Sequence, residues 1–594
     1  MPSYPLEGVE LLSTFSERQK KLIDALITNQ SRKRSASPQN KDSKRRLLSP
    51  ARESTEDDFT LPLPSPSASP GQNHYDESDK LSWSVINSYM SQLSPGSANV
   101  HSLLIELLKK TESTVLSNLY QVLGNSLRKD LLTQFPPEIT NKIFHQLDFK
   151  TMLRIEEVCK SWNEFAGYSF LLWKSLCFKD KMIKDETEFT NEFKWVKSKR
   201  PSLNDTQIVK LIYKRRMVVK KRWMDPNYQP DVKLLDAKDL GVITCLQFDS
   251  DKLVAGSDQS KVIVYDTKTG EKRQELSGHG GGVWAMKYYG NTLATGSTDR
   301  SVRIWNIAQG RCTHIFRGHV STVRCLEIIE PVQYGTDDEG NPIFFPNEPL
   351  LVTGSRDTTL NVWKLPLSNE NDPETPPIEL EENDNPYFLK KFEGHTNAVR
   401  AVSGYADIIV SGSYDHKAIV WDLRTLSKKF ELIGHTDRIY SCVYDWKRKQ
   451  CYTGSVDNTV RIWDVTNGKL KAVLEGHQIL VGLITISDNN LVSAAADSTV
   501  RIWDPDSGHA RNVLRGHASA ITCVTNDDER VVSGSQGTLI LWDANSGKKV
   551  RDMGTGITGS VWQVGTDWRR TIVGAQKDDE TVIQVLDFCN DEFL

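Results

Sequence analysis

The chain has 594 residues, of which 25% are charged and 38% hydrophobic, and its formal net charge is -3. This length suggests three or four domains, and the near-neutral charge indicates no particular class of partner. The nine cysteines are scattered without a CxxC pair, so we expect reduced thiols of a cytosolic or nuclear protein rather than zinc ligands or disulfides. The N-terminus lacks the pattern of a signal peptide, and the longest apolar run, 479–486, is too short to cross a bilayer.

Residues 1–80 are rich in serine, proline and charge, and we predict a disordered tail. Two basic clusters about ten residues apart have the spacing of a bipartite nuclear import signal, namely Arg32, Lys33 and Arg34, then Lys44, Arg45 and Arg46. A solvated basic tail is the alternative. Ser-Pro pairs, which are candidate sites for a proline-directed kinase, begin at Ser37, Ser49, Ser65 and Ser69.

Residues 81–130 carry leucines and valines at helical spacing, beginning with Leu103, Leu104, Leu107 and Leu108. Short helices of this kind cannot bury both faces alone. They pack either on the following domain or on a second copy of the chain, which makes the segment a candidate dimerisation element.

Residues 131–178 are predicted to form three short helices. Pro136 and Pro137 suit the start of the first, Asp148 can cap the second, and Leu171, Leu172, Trp173 and Leu176 belong to the third. The apolar stripe of the first helix is Ile139, Ile143 and Leu147. So much apolar surface in about 45 residues exceeds a small core, which favours a protein interface.

These residues resemble an F-box. Phe135-Pro136-Pro137-Glu138-Ile139 matches the Leu-Pro-x-Glu-Ile opening with Phe in place of Leu, and Val158-Cys159-x-x-Trp162 matches the Val-Cys-x-x-Trp centre. The resemblance implies docking on the small adaptor subunit that connects an F-box protein to a cullin scaffold and a RING subunit. The implied adaptor-binding residues are Phe135, Pro136, Pro137, Ile139, Ile143, Leu147, Val158 and Trp162.

Residues 179–228 are predicted to be a helical linker that ends in the basic run QIVKLIYKRRMVVKKRWM. A basic helix with aromatic residues can bind nucleic acid. We favour a connecting helix with a solvated basic face, because Ile208, Leu211, Ile212, Val218 and Val219 supply a packing stripe.

Residues 229–594 contain a repeat in which Gly-His opens each unit and Trp-Asp or a near variant closes it. From Asp422 to Asp464, Asp504 and Asp543 the period is 42, 40 and 39 residues, the spacing of a four-stranded propeller blade. Eight closures predict eight blades. The repeat His, a turn Asp and the Trp are expected to hydrogen-bond within each blade. Because this set recurs in blade after blade, it argues against a single catalytic triad and against an enzyme.

Two positions in each blade are not dictated by the scaffold and are expected to lie at the same end of the channel. The inner-strand position, five residues after the repeat His, holds Thr244, Trp284, Arg324, Arg400, Tyr440, Gly482, Thr522 and Trp562. The turn position, before the turn Asp, holds Asp258, Thr298, Arg356, Tyr414, Val456, Ala496, Gln536 and Gln576.

Blades two to five therefore gather arginines and aromatic residues on one side of one face. We call this set the arginine sector: Trp284, Thr298, Thr322, Arg324, Arg356, Arg400, Tyr414, Arg438 and Tyr440. Clustered guanidiniums repel one another unless an anion lies between them, and their planar fork suits phosphate. The sector predicts a phosphopeptide pocket in which the aromatic rings hold apolar or proline residues of the same peptide. The alternative is surface arginines with local carboxylate partners, which fits Arg303, Arg461 and Arg501 of the third strands.

An F-box followed by eight WD repeats resembles the substrate receptors of SCF ubiquitin ligases, of the yeast cell-division-control protein 4 type, over about residues 100–594. Matching segments include STVRC at 321–325, GSRD at 354–357, GSYD at 412–415, DRIYS at 437–441 and SAAAD at 493–497. The resemblance implies a nuclear, non-catalytic receptor that binds a Leu-Leu-phosphoThr-Pro degron of cell-cycle regulators. It also implies a dimerisation element before the F-box. No cofactor, metal, membrane or nucleic acid is expected.

Two further hypotheses stay open. Leu47-Leu48-Ser49-Pro50 is similar to that degron, so Ser49 is a candidate self-degron. A WD-repeat scaffold for signalling or chromatin, without adaptor binding, is the alternative function. The substrates, their kinase, the choice between homodimer and heterodimer, and the role of the acidic insertions 330–349 and 366–385 are not determined by the sequence.

Overall fold

The structure is a computed structural model, and it describes residues 135–167, 169–336, 340–554 and 556–589 together with residue 117. The chain divides after Leu127 into two units, and all helices and strands named below belong to the second. The predicted tail 1–80 with its import clusters and Ser49 lies outside the described residues, as does segment 81–130 apart from the helical Ser117.

Within residues 135–228, six helices precede the propeller. They are α1 Pro137–Gln146, α2 Phe149–Glu156, α3 Lys160–Gly167, α4 Phe170–Lys179, α5 Glu186–Lys199 and α6 Asp205–Met224. Asp148 caps α2 as predicted, because its side chain accepts a hydrogen bond from the Thr151 N–H at 3.2 Å. Four helices occupy the segment for which three were predicted, because α2 ends at Glu156 and a separate helix, α3, carries Trp162.

One apolar core holds these helices together. Phe144, Ile155 and Trp173 are buried in it, and the Trp173 Nε1–H donates to the Ala166 carbonyl at 2.8 Å. The stripe of α6 faces inward as expected, with Ile208, Ile212 and Val219 buried. Within the described part of the chain, no helix is both long enough and apolar enough to span a membrane.

The basic run on α6 is only partly solvated, which corrects the prediction of a solvated basic face. Arg215 and Arg216 are buried, and each forms an ion pair with the buried Glu192 of α5. The Arg216 guanidinium also lies 3.6 Å from the ring centre of Trp568 in the propeller. Because these charges are paired inside the protein, they are not available to bind nucleic acid phosphates.

The propeller begins with strand β1 Asp231–Asp236. Blade one is β2 Ile243–Phe248, β3 Lys252–Ser257, β4 Val262–Asp266 and β5 Lys272–Leu276. Blade two is β6 Val283–Tyr289, β7 Thr292–Ser297, β8 Val302–Asn306 and β9 Arg311–Phe316. Blade three is β10 Val323–Ile329, β13 Leu350–Ser355, β14 Leu360–Lys364 and β16 Phe388–Phe392. It contains two insertions: a hairpin of β11 Val332–Thr336 and β12 Pro342–Phe345, and the strand β15 Ile378–Leu380.

The remaining blades follow the same order. Blade four is β17 Val399–Tyr405, β18 Ile408–Ser413, β19 Lys417–Asp422 and β20 Ser427–Ile433. Blade five is β21 Ile439–Asp445, β22 Gln450–Ser455, β23 Val460–Asp464 and β24 Lys469–Leu474. Blade six is β25 Val481–Ile486, β26 Leu491–Ala495, β27 Val500–Trp503 and β28 Ala510–Leu514. Blade seven is β29 Cys523–Asn526, β30 Arg530–Ser535, β31 Thr538–Asp543 and β32 Lys549–Asp552.

Blade eight closes the ring. It consists of β33 Val561–Thr566, β34 Arg570–Lys577 and β35 Glu580–Asp587, with β1 as its outer strand. β1 and β35 are antiparallel, from Asp231 opposite Asp587 to Asp236 opposite Val582. The predicted eight-bladed fold is therefore confirmed, and the closing strand comes from the start of the domain, which the repeat pattern alone did not indicate.

A hydrogen-bonded relay recurs in the blades, as predicted. In blade three, His319 Nδ1 bonds Asp357 at 2.9 Å, His319 Nε2 bonds the Thr353 hydroxyl at 2.9 Å, and the Trp363 Nε1–H donates to the same hydroxyl at 3.0 Å. Blades two, four, five and six repeat this arrangement with Ser or Thr as the bridge. The bridging hydroxyl was not foreseen, and the repetition shows that the relay holds each blade together.

The glycine of most Gly-Ser pairs is required by close packing between blades. A Cβ on Gly296 would lie 2.5 Å from Val323 Cγ1, in the inner strand of the next blade. At Gly296 the inner strand of the next blade can therefore approach this closely because the side chain is hydrogen.

Candidate functional site

The inner-strand positions lie at a repeated irregularity in the sheets. In seven blades the pairing of the inner strand with the second strand shifts across this one residue, so that it stands outside the ladder as a β-bulge. The residues at the bulge are Thr244, Trp284, Arg324, Arg400, Tyr440, Gly482 and Trp562. In blade seven Thr522 precedes β29, and its N–H donates to the Gly534 carbonyl at 3.0 Å.

The turn positions are bonded to the start of the same inner strands. In blade three the Arg356 N–H donates to the Thr322 carbonyl at 2.9 Å, and in blade five the Val456 N–H donates to the Arg438 carbonyl at 3.0 Å. Asp258, Thr298, Tyr414, Ala496 and Gln576 make the equivalent bond in their blades, whereas Gln536 bridges to Ser560 of blade eight. The structure thus places inner-strand and turn positions at one end of the channel.

Aromatic rings join the arginines of neighbouring blades. The Arg324 guanidinium lies 4.9 Å from the ring centre of Trp284, which links blades three and two. Arg400 lies 5.9 Å from the ring centre of Tyr440, Arg438 lies 5.5 Å from that of Tyr414, and the two tyrosine rings are 5.2 Å apart. These contacts bring six of the nine sector residues into two linked groups, one across blades two and three and one across blades four and five.

The charges of the sector arginines influence the pKa values of neighbouring phenol and thiol groups. Burial and a hydrogen bond with Tyr440 raise the pKa of the Tyr414 phenol, while the positive charges of Arg400 and Arg324 oppose this rise. Burial raises the pKa of the Cys325 thiol to about 12, again against the charge of Arg400. The charges of Arg400 in blade four and Arg324 in blade three therefore both act on Tyr414.

The four sector arginines have no ion-pair partner in the described part of the chain. None of Arg324, Arg356, Arg400 and Arg438 has a carboxylate within 4.0 Å among the described residues, whereas Arg273 and Arg448 elsewhere on the propeller pair with aspartates. Arg356, Arg438 and Thr298 are exposed, and Trp284 is 39% exposed. The sector consequently presents uncompensated positive charge beside accessible aromatic surface.

The third-strand arginines are not paired with carboxylates as expected. The Arg501 guanidinium donates to the Gly476 carbonyl at 2.6 Å, and the Nε atoms of Arg303 and Arg461 are buried without a hydrogen-bond partner. Each lies beside the glycine of a Gly-His pair. These arginines fill space inside the blade edge and do not belong to the sector.

Sequence reasoning missed Arg300. It is exposed in the turn that contains Thr298, has a left-handed φ of 70°, and has no ion pair within the described residues. The sequence does carry a signal for it, because Arg300 is a basic residue two positions after Thr298 in the same turn.

The F-box stripe is exposed rather than buried. Phe135, Ile139, Ile143 and Val158 are between 37 and 43% exposed, although Phe144 and Ile155 of the same helices lie in the core. Pro136 is exposed, Pro137 begins α1, and Leu147 and Trp162 are half-buried. An apolar surface of this kind on folded helices marks an interface.

The helices α1 to α6 and their connecting loops, which we call the helical module, contact the opposite end of the channel from the arginine sector. The sector lies where inner strands begin, whereas Lys181 pairs with Asp488 and Asp528 in loops where inner strands end. Trp223 of α6 stacks on Phe588 with ring centres 3.7 Å apart, and its Nε1–H donates to the Trp568 carbonyl at 3.0 Å. The sector therefore opens away from the module.

Comparison with known proteins agrees with this architecture. An F-box-like family model matches residues 132–179, and a WD domain, G-beta repeat model matches 270–306, 310–364, 386–422, 426–464, 468–504 and 508–543. Cell division control protein 4 of Candida albicans is 39% identical over 565 residues, which cover 89% of this chain and 82% of that protein.

Two further relatives are similar over shorter parts of their own length. Cell division control protein 4 of Saccharomyces cerevisiae is 36% identical over 82% of this chain and 64% of that protein. WD repeat-containing protein pop2 of Schizosaccharomyces pombe is 35% identical over 78% of this chain and 66% of that protein. The chain belongs to the cell division control protein 4 family of F-box and WD-repeat proteins.

Proposed function

We propose that this protein is the substrate-recognition subunit of an SCF-type ubiquitin ligase and that its arginine sector binds phosphorylated degrons. The observation that carries the proposal is the convergence of Arg324 and Arg400 beside Trp284, Tyr414 and Tyr440 without carboxylate partners in the described residues. A phosphate between such guanidiniums accepts charge-assisted hydrogen bonds worth about 1.5–3 kcal/mol each.

The aromatic rings provide the second part of the degron site. Trp284 is partly exposed next to Arg324, and Tyr440 lies next to Arg400. Rings in these places bury the leucines and the proline that flank a phosphorylated threonine. The pocket therefore fits Ser/Thr-Pro substrates whose phosphosite has apolar neighbours.

The exposed stripe of α1 binds the cullin adaptor in this proposal. Ile139 and Ile143 supply accessible apolar surface on a helix whose other side is fixed in the core by Phe144. Through the adaptor the chain associates with cullin and RING subunits. The protein itself is not catalytic: it holds the substrate near ubiquitin-loaded enzyme, and the rate of transfer rises by proximity.

Localisation and assembly complete the proposal. The basic clusters at 32–34 and 44–46 support nuclear import, and the leucine pattern in segment 81–130 supports a dimer, either of this chain or with a relative. Phosphorylated regulators of the cell cycle are the substrate class that this placement favours.

The proposal is tested by titrating the full chain, bound to its adaptor, with a Leu-Leu-phosphoThr-Pro peptide and its unphosphorylated counterpart. Two or more lost charge-assisted bonds predict that the unphosphorylated peptide binds at least about a hundredfold more weakly. Equal affinity of the two peptides, or no binding of either, would refute the degron site and favour a WD-repeat scaffold.

A further inference from the structure

The insertion 366–385 lies along the outer edge of blade two. β15 adds to β9 as a parallel fifth strand, with Ile378 opposite His314. Immediately before β15, residues 372–377 form neither helix nor strand. The insertion is therefore attached to the blade by one very short strand and by the side-chain contacts that precede it.

The irregular stretch before β15 carries an accessible Thr-Pro pair. Thr375 is followed by Pro376 and Pro377, and residues 373–379 are all exposed. A residue that precedes proline is held in an extended conformation. Thr375-Pro376 is the only Thr-Pro pair in the chain, and no Ser-Pro pair occurs among the described residues. An exposed, extended Thr-Pro is the sequence that a proline-directed kinase modifies.

A guanidinium lies beside this threonine. Arg311, the first residue of β9, donates to the Thr375 carbonyl at 3.0 Å, to the Pro373 carbonyl at 2.5 Å and to the Gln309 side-chain oxygen at 2.6 Å. All three acceptors are neutral, and Arg311 has no carboxylate within 4.0 Å among the residues that the structure describes. The carbonyl and the hydroxyl of a threonine branch from the same Cα. A phosphate on Thr375 would therefore lie within reach of Arg311.

Comparison with another blade shows why the charge of Arg311 is uncompensated. In blade one, Arg273 of the outer strand forms an ion pair with Asp266, the aspartate that closes the repeat, and blade six has an equivalent pair. In blade two the closing residue is Asn306, which has no charge. Its side chain instead donates to the Asn369 carbonyl of the insertion at 2.7 Å. Blade two thus keeps the outer-strand arginine but has lost the carboxylate.

The surroundings of the same residue in blade five differ in a second way. Lys469 is the first residue of β24 and lies opposite Asp464, as Arg311 lies opposite Asn306. Lys469 is exposed, whereas Arg311 is half-buried beneath the insertion. A basic residue at this place is thus normally solvated, and the insertion brings it into contact with an accessible threonine.

We propose that Thr375 is a phosphorylation site for a proline-directed kinase and that its phosphate binds Arg311, which fastens the insertion to blade two. The Thr375 Oγ attacks the γ-phosphorus of ATP. A bond forms between them while the bond from this phosphorus to the β,γ-bridging oxygen breaks, ADP leaves, and the hydroxyl proton passes through the kinase to solvent.

The new group carries a charge of about -1.5 to -2. Its hydrogen bonds with a guanidinium are stronger than those of the neutral carbonyls that Arg311 now holds. Glu374 is exposed, so solvent and salt screen its repulsion, and Glu379 is already paired with Arg317. A kinase thereby controls how firmly the insertion is attached, and this inference does not depend on the degron site.

The test begins with the full chain, ATP and a purified proline-directed kinase. Mass spectrometry of the peptide that contains Thr375 should show phosphate on this residue, with the Ser-Pro sites of the tail as the positive control for the kinase. Hydrogen exchange of the β15 amides should then become about tenfold slower, because the insertion opens less often. Thr375→Val protein treated in the same way carries the tail phosphates and should show no slowing.

Arg311→Gln tests the partner of the phosphate. This variant should be phosphorylated on Thr375, but its β15 exchange should no longer respond. The matched control is Arg317→Gln, which removes the ion pair with Glu379 at the other end of β15. It should exchange faster before phosphorylation and still become slower after it. An unmodified Thr375 beside phosphorylated tail serines, unchanged exchange after phosphorylation, or a slowing that survives in Arg311→Gln would each overturn the inference.

Discussion

Each sector arginine is held beside a ring or in an exposed turn, and this determines what it can bind. A guanidinium that already has a carboxylate partner gives up that bond before it can bind phosphate. Arg324 and Arg400 instead lie 4.9 Å and 5.9 Å from aromatic ring centres, in contacts worth about 0.5–1 kcal/mol at accessible sites. Such contacts orient the guanidinium but leave its N–H donors available. The sector is therefore prepared for an anion.

Replacement of Arg356 or Arg400 by alanine tests this at single residues. Each substitution removes one or two charge-assisted bonds to phosphate, so we expect the affinity for the phosphopeptide to fall about tenfold or more. The measurement is calorimetric titration of each variant complexed with the adaptor.

Arg515→Ala is the control, because Arg515 is exposed like Arg356 but precedes a Gly-His pair and lies outside the sector. Its affinity should equal that of the unmodified protein. Unchanged binding by both Arg356→Ala and Arg400→Ala would contradict the assignment of the sector.

The sector could be predicted from sequence because the repeat aligns every blade with every other. Once the Gly-His and Trp-Asp pairs give the register, a residue such as Arg400 is identified by its place in the repeat. The ring contacts of Arg438 with Tyr414 could not be predicted, since they depend on the angle between neighbouring blades. Arg501 shows the same limit, because its guanidinium bonds a backbone carbonyl, which carries no sequence signal.

At the scale of elements, the F-box is a small core with one side left uncovered. Trp173 and Phe144 fix α1 and α4 against each other, which leaves Ile139 and Ile143 outside. A helix of only ten residues depends on this packing. Substitutions on its exposed stripe are thus expected to affect the adaptor and not the fold.

Ile143→Asp is the sharpest change on that stripe. Loss of one buried isoleucine costs about 1.5–3 kcal/mol, and the new carboxylate adds a desolvation penalty, so adaptor affinity should fall at least about twentyfold. Co-purification and surface plasmon resonance with the adaptor measure it. Lys142→Ala, next to it on the exposed side of α1, should bind normally. An Ile143→Asp protein that is folded and binds the adaptor normally would contradict the proposed interface.

The elements that repeat or alternate regularly were predictable, and the irregular ones were not. Blade strands and the Asp148 cap follow from local pattern. The insertion 366–385 has no such pattern, because β15 is only three residues long and is formed by pairing with β9. The burial of Arg216 could not be predicted from the sequence either, because it depends on contacts with Glu192 on a different helix and with Trp568 in blade eight.

At the scale of the whole molecule, the helical module and the propeller are joined by buried and hydrogen-bonded contacts. The Arg551 guanidinium of blade seven donates to the Trp223 and Arg222 carbonyls at 2.9 Å and 2.7 Å, which satisfies the C-terminal end of α6. Stacking of Trp223 on Phe588 adds apolar burial. These contacts fix the distance and direction from the F-box to the arginine sector, as a receptor that positions substrates requires.

Three buried histidines of the blades predict a pH dependence of stability. Burial lowers the pKa of His517 to about 4, and burial also lowers the pKa values of His279 and His477 against their aspartate partners. The unfolded chain, with histidine pKa values near 6.5, binds more protons than the folded one between about pH 6.5 and 4. Stability is therefore full above pH 6.5 and falls as the pH drops through this window, by about 3 kcal/mol for His517 alone.

Urea unfolding at several pH values between 7.5 and about 4.5 measures this loss. His517→Gln should reduce the slope of the unfolding free energy against pH, whereas His509→Gln, at an exposed histidine, should not. A free energy of unfolding that stays constant from pH 7 to 5 would show that His517, His279 and His477 do not titrate as proposed.

The closing strand also sets the order in which the propeller can be completed during synthesis. β1 leaves the ribosome about 350 residues before its partner β35, an interval of about 20–70 s at usual elongation rates. During that time the finished blades form an open arc whose terminal edges have no partner, and such edges promote aggregation. Closure of the ring thus depends on the last blade. A nascent chain that ends before blade eight contains the F-box and the arginine sector but has no closed ring to support them.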